Sequence, residues 1–194
     1  MMIPLSILFI LSLALLFDKL LFYKKLTKLP NSLFQLIETY NFSWQALEIG
    51  LTKLPKENIY NKFFNIILAN KPNPTWWIES RCEDEAKLIE KNLNSSLWIL
   101  ETITTVAPLL GLLGTIIGMM SSFKIIGVDG LVNPSGVTAG VAESLIATGF
   151  GLTIAIITLF TFNYFSNKSN QTLDQMERLA TKIIDHIKLD AQAR

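Results

Sequence analysis

Three polar side chains stand where chemistry inside a membrane would need them: Thr115, Glu143 and Thr148. An uncharged run of 22 residues separates Glu101 from Lys124, and a second, residues 144–167, directly follows Glu143. Each is long enough to cross a hydrocarbon core of roughly 30 Å as a helix. At about 100° per residue, Thr104, Pro108, Gly111, Gly114, Thr115, Gly118 and Ser122 share one face of the first helix. Gly140, Ser144, Ala147, Thr148, Gly151, Ala155 and Thr158 share one face of the second, with Glu143 just off its edge. Leu145, Ile146, Phe150, Leu152, Ile156 and Phe160 fill the rest of that helix.

Such faces serve close helix packing, and Gly114-x-x-x-Gly118 and Gly136-x-x-x-Gly140 fit the small-xxx-small pattern. They also serve a lumen lined by the hydroxyls of Thr115 and Thr148. Glu143 favours the lumen, because a carboxylate at mid-depth costs about 3 kcal/mol or more unless it faces water, a partner or proton traffic. A start of this helix anywhere from residue 133 to 140 would instead leave Glu143 near the outer headgroups, where that cost is small. Pro108 lacks a backbone donor and can kink its helix, with neighbours re-satisfying the freed carbonyl.

The elements that must position these residues follow from composition. Half of the 194 residues are hydrophobic, 17% are charged, and the mean hydropathy is +0.38. That balance suits a chain about one third in the membrane. A net charge of +1 gives no electrostatic footprint for nucleic acid. The lone Cys82 excludes an intrachain disulfide and a cysteine-rich metal site. The single histidine, His186, lies on a charged C-terminal helix and reads as a solvated residue rather than a ligand. No Gly-x-Ser-x-Gly, His-Glu-x-x-His or P-loop pattern occurs, so neither an enzyme nor a cofactor is expected.

A first apolar run covers residues 3–17 and resumes at 20–23 after Asp18-Lys19. Its positive charges, Lys24, Lys25 and Lys28, come after it and no small-residue cleavage site follows, so an uncleaved helix is expected rather than a signal peptide. The same lysines, with Lys168, Arg178 and Lys182 after the third helix, set the direction by the positive-inside rule. The expected organisation is an outward-facing N-terminus and transmembrane helix 1 at 1–23, then a cytoplasmic helical region at 24–96. Transmembrane helix 2 follows at 97–126, an outer loop (periplasmic in the family named below) at 127–136, transmembrane helix 3 at 137–166 and a cytoplasmic C-terminal helix at 167–194. The fold class is an all-α membrane protein, three transmembrane helices with long cytoplasmic helical extensions.

Within the cytoplasmic region, Leu33, Leu36, Ile37, Tyr40, Trp44 and Leu47 recur at helical spacing after a candidate N-cap, Ser32. Pro55, Pro72 and Pro74 punctuate. Thr75 is a candidate cap for a long helix, and no strong breaker interrupts residues 76–107, so helix 2 is expected to run deep into the cytoplasm. Leu173, Met176, Ala180, Ile183 and Ile187 form an apolar stripe on the tail that should pack on the other cytoplasmic helices.

At its membrane helices the chain resembles the ExbB/TolQ/MotA family of proton-driven inner-membrane motors, most closely the ExbB branch. APLLGLLGTIIGMMSSF, residues 107–123, looks like the family's helix 2 signature, and GVAESLIATGFGL, residues 140–152, like its helix 3 signature. FDKLLFYKKL after helix 1 is also similar to the ExbB pattern. The resemblance is specific over about residues 85–185, and three helices with the N-terminus outside fit ExbB and TolQ better than MotA. It implies a homopentameric ring in the bacterial inner membrane, with helices 2 and 3 lining a pore that holds the membrane helices of an ExbD-like partner. That partner would carry the proton-accepting aspartate, and the complex would energise a TonB-like protein from the proton motive force. By matching motif positions, Thr115, Glu143 and Thr148 carry over as pore-lining residues, and Pro108, Gly111, Gly114, Gly118, Gly140, Ser144 and Gly151 as helix-packing residues. Many relatives have a proline where Ile157 stands, which weakens the case for a kink there. The rival expectations are a TolQ-like subunit of the Tol-Pal envelope system and a non-conducting membrane scaffold.

Overall fold

The computed structural model describes residues 2–39, 42–124 and 134–192, and these residues contain helices and turns but no strand. Among the described residues seven helices follow one another: α1 (Met2–Leu26), α2 (Asn31–Glu38), α3 (Trp44–Thr52), α4 (Ile59–Asn70), α5 (Thr75–Leu93), α6 (Leu97–Lys124) and α7 (Pro134–Gln192). They form two compact units, one from residues 1–18 and 96–165, the other from 19–95 and 166–194. Among the described residues, three stretches hold a segment long and apolar enough to cross a membrane: Met2–Leu26, Thr75–Phe123 and Gly136–Gln192. Only 17%, 22% and 28% of their apolar windows are buried, so most of that surface is left for lipid or for other chains.

The first unit is built on small residues. Leu5 of α1, Ile103 and Ala107 of α6, and Ala147, Ile154 and Ala155 of α7 form its core. Phe9 packs on Phe150 with ring centroids 5.8 Å apart.

In the second unit, α2 to α5 and the end of α7 each present one apolar face. Ile37, Leu47, Phe64, Ile67, Ile78, Leu179 and Ile183 are almost completely buried. Each such side chain stabilises the fold by roughly 1.5–3 kcal/mol. Met176, Ala180, Ile183 and Ile187 of the tail stripe are buried as their spacing predicts. Asn58 caps α4 by accepting from the Tyr60 N–H at 2.9 Å, while its Nδ2 donates to the Lys28 carbonyl at 3.0 Å. The Tyr60 hydroxyl, on the next turn, donates to Gln175 Oε1 at 2.8 Å. Its phenol is pushed up to about 12 by burial. The pair joining Arg178 to Glu38 at 2.6 Å is exposed and contributes little.

Several expectations are corrected. The helix containing Leu33 starts at Asn31 behind Pro30, not at Ser32, because proline's fixed φ already suits the position before a first turn. It ends at Glu38, and a new helix starts at Trp44 with Ser43 as its cap, so the spacing from Leu33 to Leu47 spans two helices. Tyr40 lies outside the described residues. Pro74 rather than Thr75 precedes α5. Helix 2 is not continuous from residue 76 to 107: α5 stops at Leu93, a turn covers 94–96, and Ser96 has φ 64°. Asn and Ser offer the backbone local alternatives to helix, and Asn92, Asn94, Ser95 and Ser96 cluster here. The last three residues of the expected loop, 134–136, and the expected segments 137–166 and 167–192 all lie in α7. The part of that loop at 127–133 lies outside the described residues. His186 is half-buried, its ring stacked 4.2 Å from Phe42. Cys82 is a buried free thiol in α5.

Candidate functional site

The small faces of α6 and α7 meet as an antiparallel seam. A methyl group on Gly151 would lie 2.6 Å from the Ala107 carbonyl oxygen, and one on Gly111 would lie 3.0 Å from the Thr148 Cα. Further along, the Ser144 hydroxyl occupies the space beside Gly118, and the Ser122 hydroxyl the space beside Gly140. The seam thus pairs a small residue with a backbone or a hydroxyl at each step, which is how helices approach closely where no hydrophobic effect drives them together.

The hydroxyls along the seam are satisfied within the chain. Ser122 donates to the Gly118 carbonyl at 2.9 Å and Ser144 to the Gly140 carbonyl at 2.7 Å, each four residues back. Thr148 differs: its Oγ1 donates across the seam to the Gly111 carbonyl at 2.9 Å. Thr115 is half-buried and donates to the Leu112 carbonyl of its own helix at 2.6 Å. A threonine oxygen that donates its proton keeps lone pairs for accepting another hydrogen bond.

Glu143 is exposed. With Gly114, Gly118, Ser121, Gly140 and Ser144 it lines a groove of about 480 Å³ between α6 and α7, reached also by Met2. No hydrogen bond links Glu143, Thr115 and Thr148 to one another. Pro108 lies inside α6. Thr148 faces α6 across the seam, while the bond that Thr115 makes stays within its own helix. Spacing alone did not reveal the bond from Thr148 to Gly111 or the reciprocal serine–glycine pairs, although the recurrence of Ser and Gly on both stripes was a signal for the latter. Among the described residues no group of His, Cys, Asp and Glu is arranged to hold a metal ion.

Residues 52–178, which include all of this seam, match the model of the MotA/TolQ/ExbB proton channel family, and the chain belongs to that family. It is 46% identical over 90 residues to an ExbB-like biopolymer transport protein of Synechocystis sp., covering 45% of this chain and 41% of that protein. To the biopolymer transport protein ExbB of Aquifex aeolicus it is 37% identical over 91 residues, 47% of this chain and 62% of the relative. The Tol-Pal system protein TolQ of Pseudomonas aeruginosa is 37% identical over 84 residues, 43% of this chain and 36% of the relative. The chain matches less than two thirds of the length of each of these three proteins.

Proposed function

We propose that this chain is the ExbB-like subunit of a proton-driven motor in the bacterial inner membrane. In this reading it forms a homopentamer around the membrane helices of an ExbD-like single-span partner. The complex passes energy from the proton motive force to a TonB-like protein for import across the outer membrane. The N-terminus is periplasmic and the C-terminus cytoplasmic. The observation that carries the reading is the α6–α7 seam, in a family of proton channels, with the exposed carboxylate of Glu143 in its groove.

The chemistry asked of this chain is modest. The partner's aspartate takes and releases the proton. Thr115 and Thr148 present oxygen acceptors to that carboxyl or to water beside it, and Thr148 is held in one orientation by its bond to Gly111. Glu143 lends negative potential to the outer mouth, raising the local concentration of protons or pairing with a neighbouring subunit. Neutralising the aspartate lets the inner helices turn or shift within the ring. Replacing Thr148 by Val should abolish iron-siderophore uptake while the ring still assembles; uptake at normal protein levels would defeat the lumen reading.

A TolQ-like role in the Tol-Pal envelope system is supported by the Pseudomonas aeruginosa relative. A deletion strain separates the two: iron starvation marks the ExbB-like role, detergent sensitivity the TolQ-like one. A non-conducting scaffold would show neither uncoupler sensitivity nor any effect of substituting Glu143.

A further inference from the structure

We propose that Lys19 is a latch that holds the helix break between α5 and α6 open. Lys19 follows the first apolar run of α1, yet it is only 2% exposed. A buried ammonium persists only when acceptors replace its water. Its Nζ donates to the Leu93 carbonyl at 2.9 Å and to Ser95 Oγ at 3.3 Å, and it lies 5.4 Å from the centre of the Phe22 ring.

The acceptor it takes is decisive. In an uninterrupted helix the Leu93 carbonyl would receive the Leu97 N–H, four residues on. The preceding carbonyl, Asn92, which would receive the Ser96 N–H, instead accepts from Ser95 Oγ at 2.7 Å and from the Ser95 N–H at 3.3 Å. Beyond the break the Ile99 N–H bonds the Ser96 carbonyl at 3.2 Å, the contact of a helix starting afresh. Ser96 sits at φ 64°, a conformation that costs a non-glycine residue energy and persists only when its surroundings hold it. The residues on either side are helical and contain neither Gly nor Pro. The lysine cation at the C-terminal end of α5 also meets the negative end of that helix's dipole. Freeing the Leu93 carbonyl from Lys19 would let the Leu97 N–H compete for it, the first bond of a joined helix.

The test is amide hydrogen exchange on the full chain in its native membrane complex, comparing wild type with Lys19→Met and Lys19→Arg. A lysine that merely stabilises the fold would, on removal, speed exchange. The latch predicts the opposite sign at the break. In Lys19→Met the amides of residues 96–98 gain helical acceptors and exchange slower by at least about tenfold, while Lys19→Arg keeps the wild-type rate. Unchanged or faster exchange there in Lys19→Met overturns the proposal. Should that variant not fold, Ser95→Ala removes the second acceptor and one of the two bonds that occupy the Asn92 carbonyl. It should slow the same amides by about threefold, and unchanged or faster exchange again overturns it.

Discussion

Gly118 and Ser144 face each other so closely that the serine hydroxyl occupies the place a Cβ on Gly118 would take. Four residues further along α6 the roles reverse, with the hydroxyl of Ser122 against Gly140. The obstacle differs along the seam, and that difference ranks the consequences of adding one methyl group.

Gly151→Ala meets the Ala107 carbonyl, which cannot move without shifting α6, and should cost about 1–3 kcal/mol. Gly118→Ala meets the Ser144 side chain, its hydroxyl and, at 3.1 Å, its Cβ, rather than a carbonyl of the facing backbone, and should cost less, since the hydroxyl can turn once it leaves the Gly140 carbonyl. Gly149→Ala meets nothing within 4 Å and should be neutral or stabilising by up to about 1 kcal/mol through helix propensity. Thermal unfolding of the three variants in one detergent checks the order; a Gly149 variant as damaged as the Gly151 variant would contradict the seam.

Thr148→Val keeps the branched shape and removes the donor to Gly111. Interhelical hydrogen bonds in membranes contribute roughly 0.6–2 kcal/mol, so the variant should assemble with a modestly lower melting temperature. Thr148→Ser should recover both stability and transport, because the hydroxyl returns. A serine variant as inactive as the valine variant would show that shape, not the hydroxyl, matters.

Glu143→Gln keeps the size of the side chain in the groove and removes its charge. Under the motor reading, transport should fall and its dependence on external pH should change, while the amount of assembled complex stays the same. Uptake measured in membrane vesicles at several external pH values checks this. A full-activity Gln variant would place the charge outside the proton path.

Tyr60 gives a pH dependence outside the membrane helices. Its phenol ionises near 12 when folded, against an ordinary value of 10. The folded state therefore holds its proton longer than the unfolded state. The corresponding stability is complete below pH 10 and is lost as pH rises through 12. Tyr60→Phe should flatten the decline over that window and cost about 1 kcal/mol at neutral pH by leaving Gln175 Oε1 without its donor. Equal slopes for the two proteins would contradict the assignment.

How much of this was legible from the chain depends on the range of the interaction. The faces of α6 and α7 could be read because small residues recur at the helical period, and the tail stripe for the same reason. The break at 94–96 was harder to read, because one of its partners is a lysine 74 residues away that donates to Leu93. No Gly or Pro marks the spot, and only the Asn and Ser cluster hinted at it. His186 read as solvated because its partner, Phe42, is brought to it by α3 and α7 packing in the second unit. Spacing placed Thr148 on the right face but could not say that its proton goes to Gly111, since hydroxyl direction depends on how closely the two backbones approach.

The most direct test of the motor reading is native mass spectrometry of the complex purified from its own membranes in mild detergent. The account predicts five copies of this chain around a small single-span protein that carries an aspartate in its membrane helix. A monomer or dimer without such a partner would contradict it and leave the α6–α7 seam as packing alone.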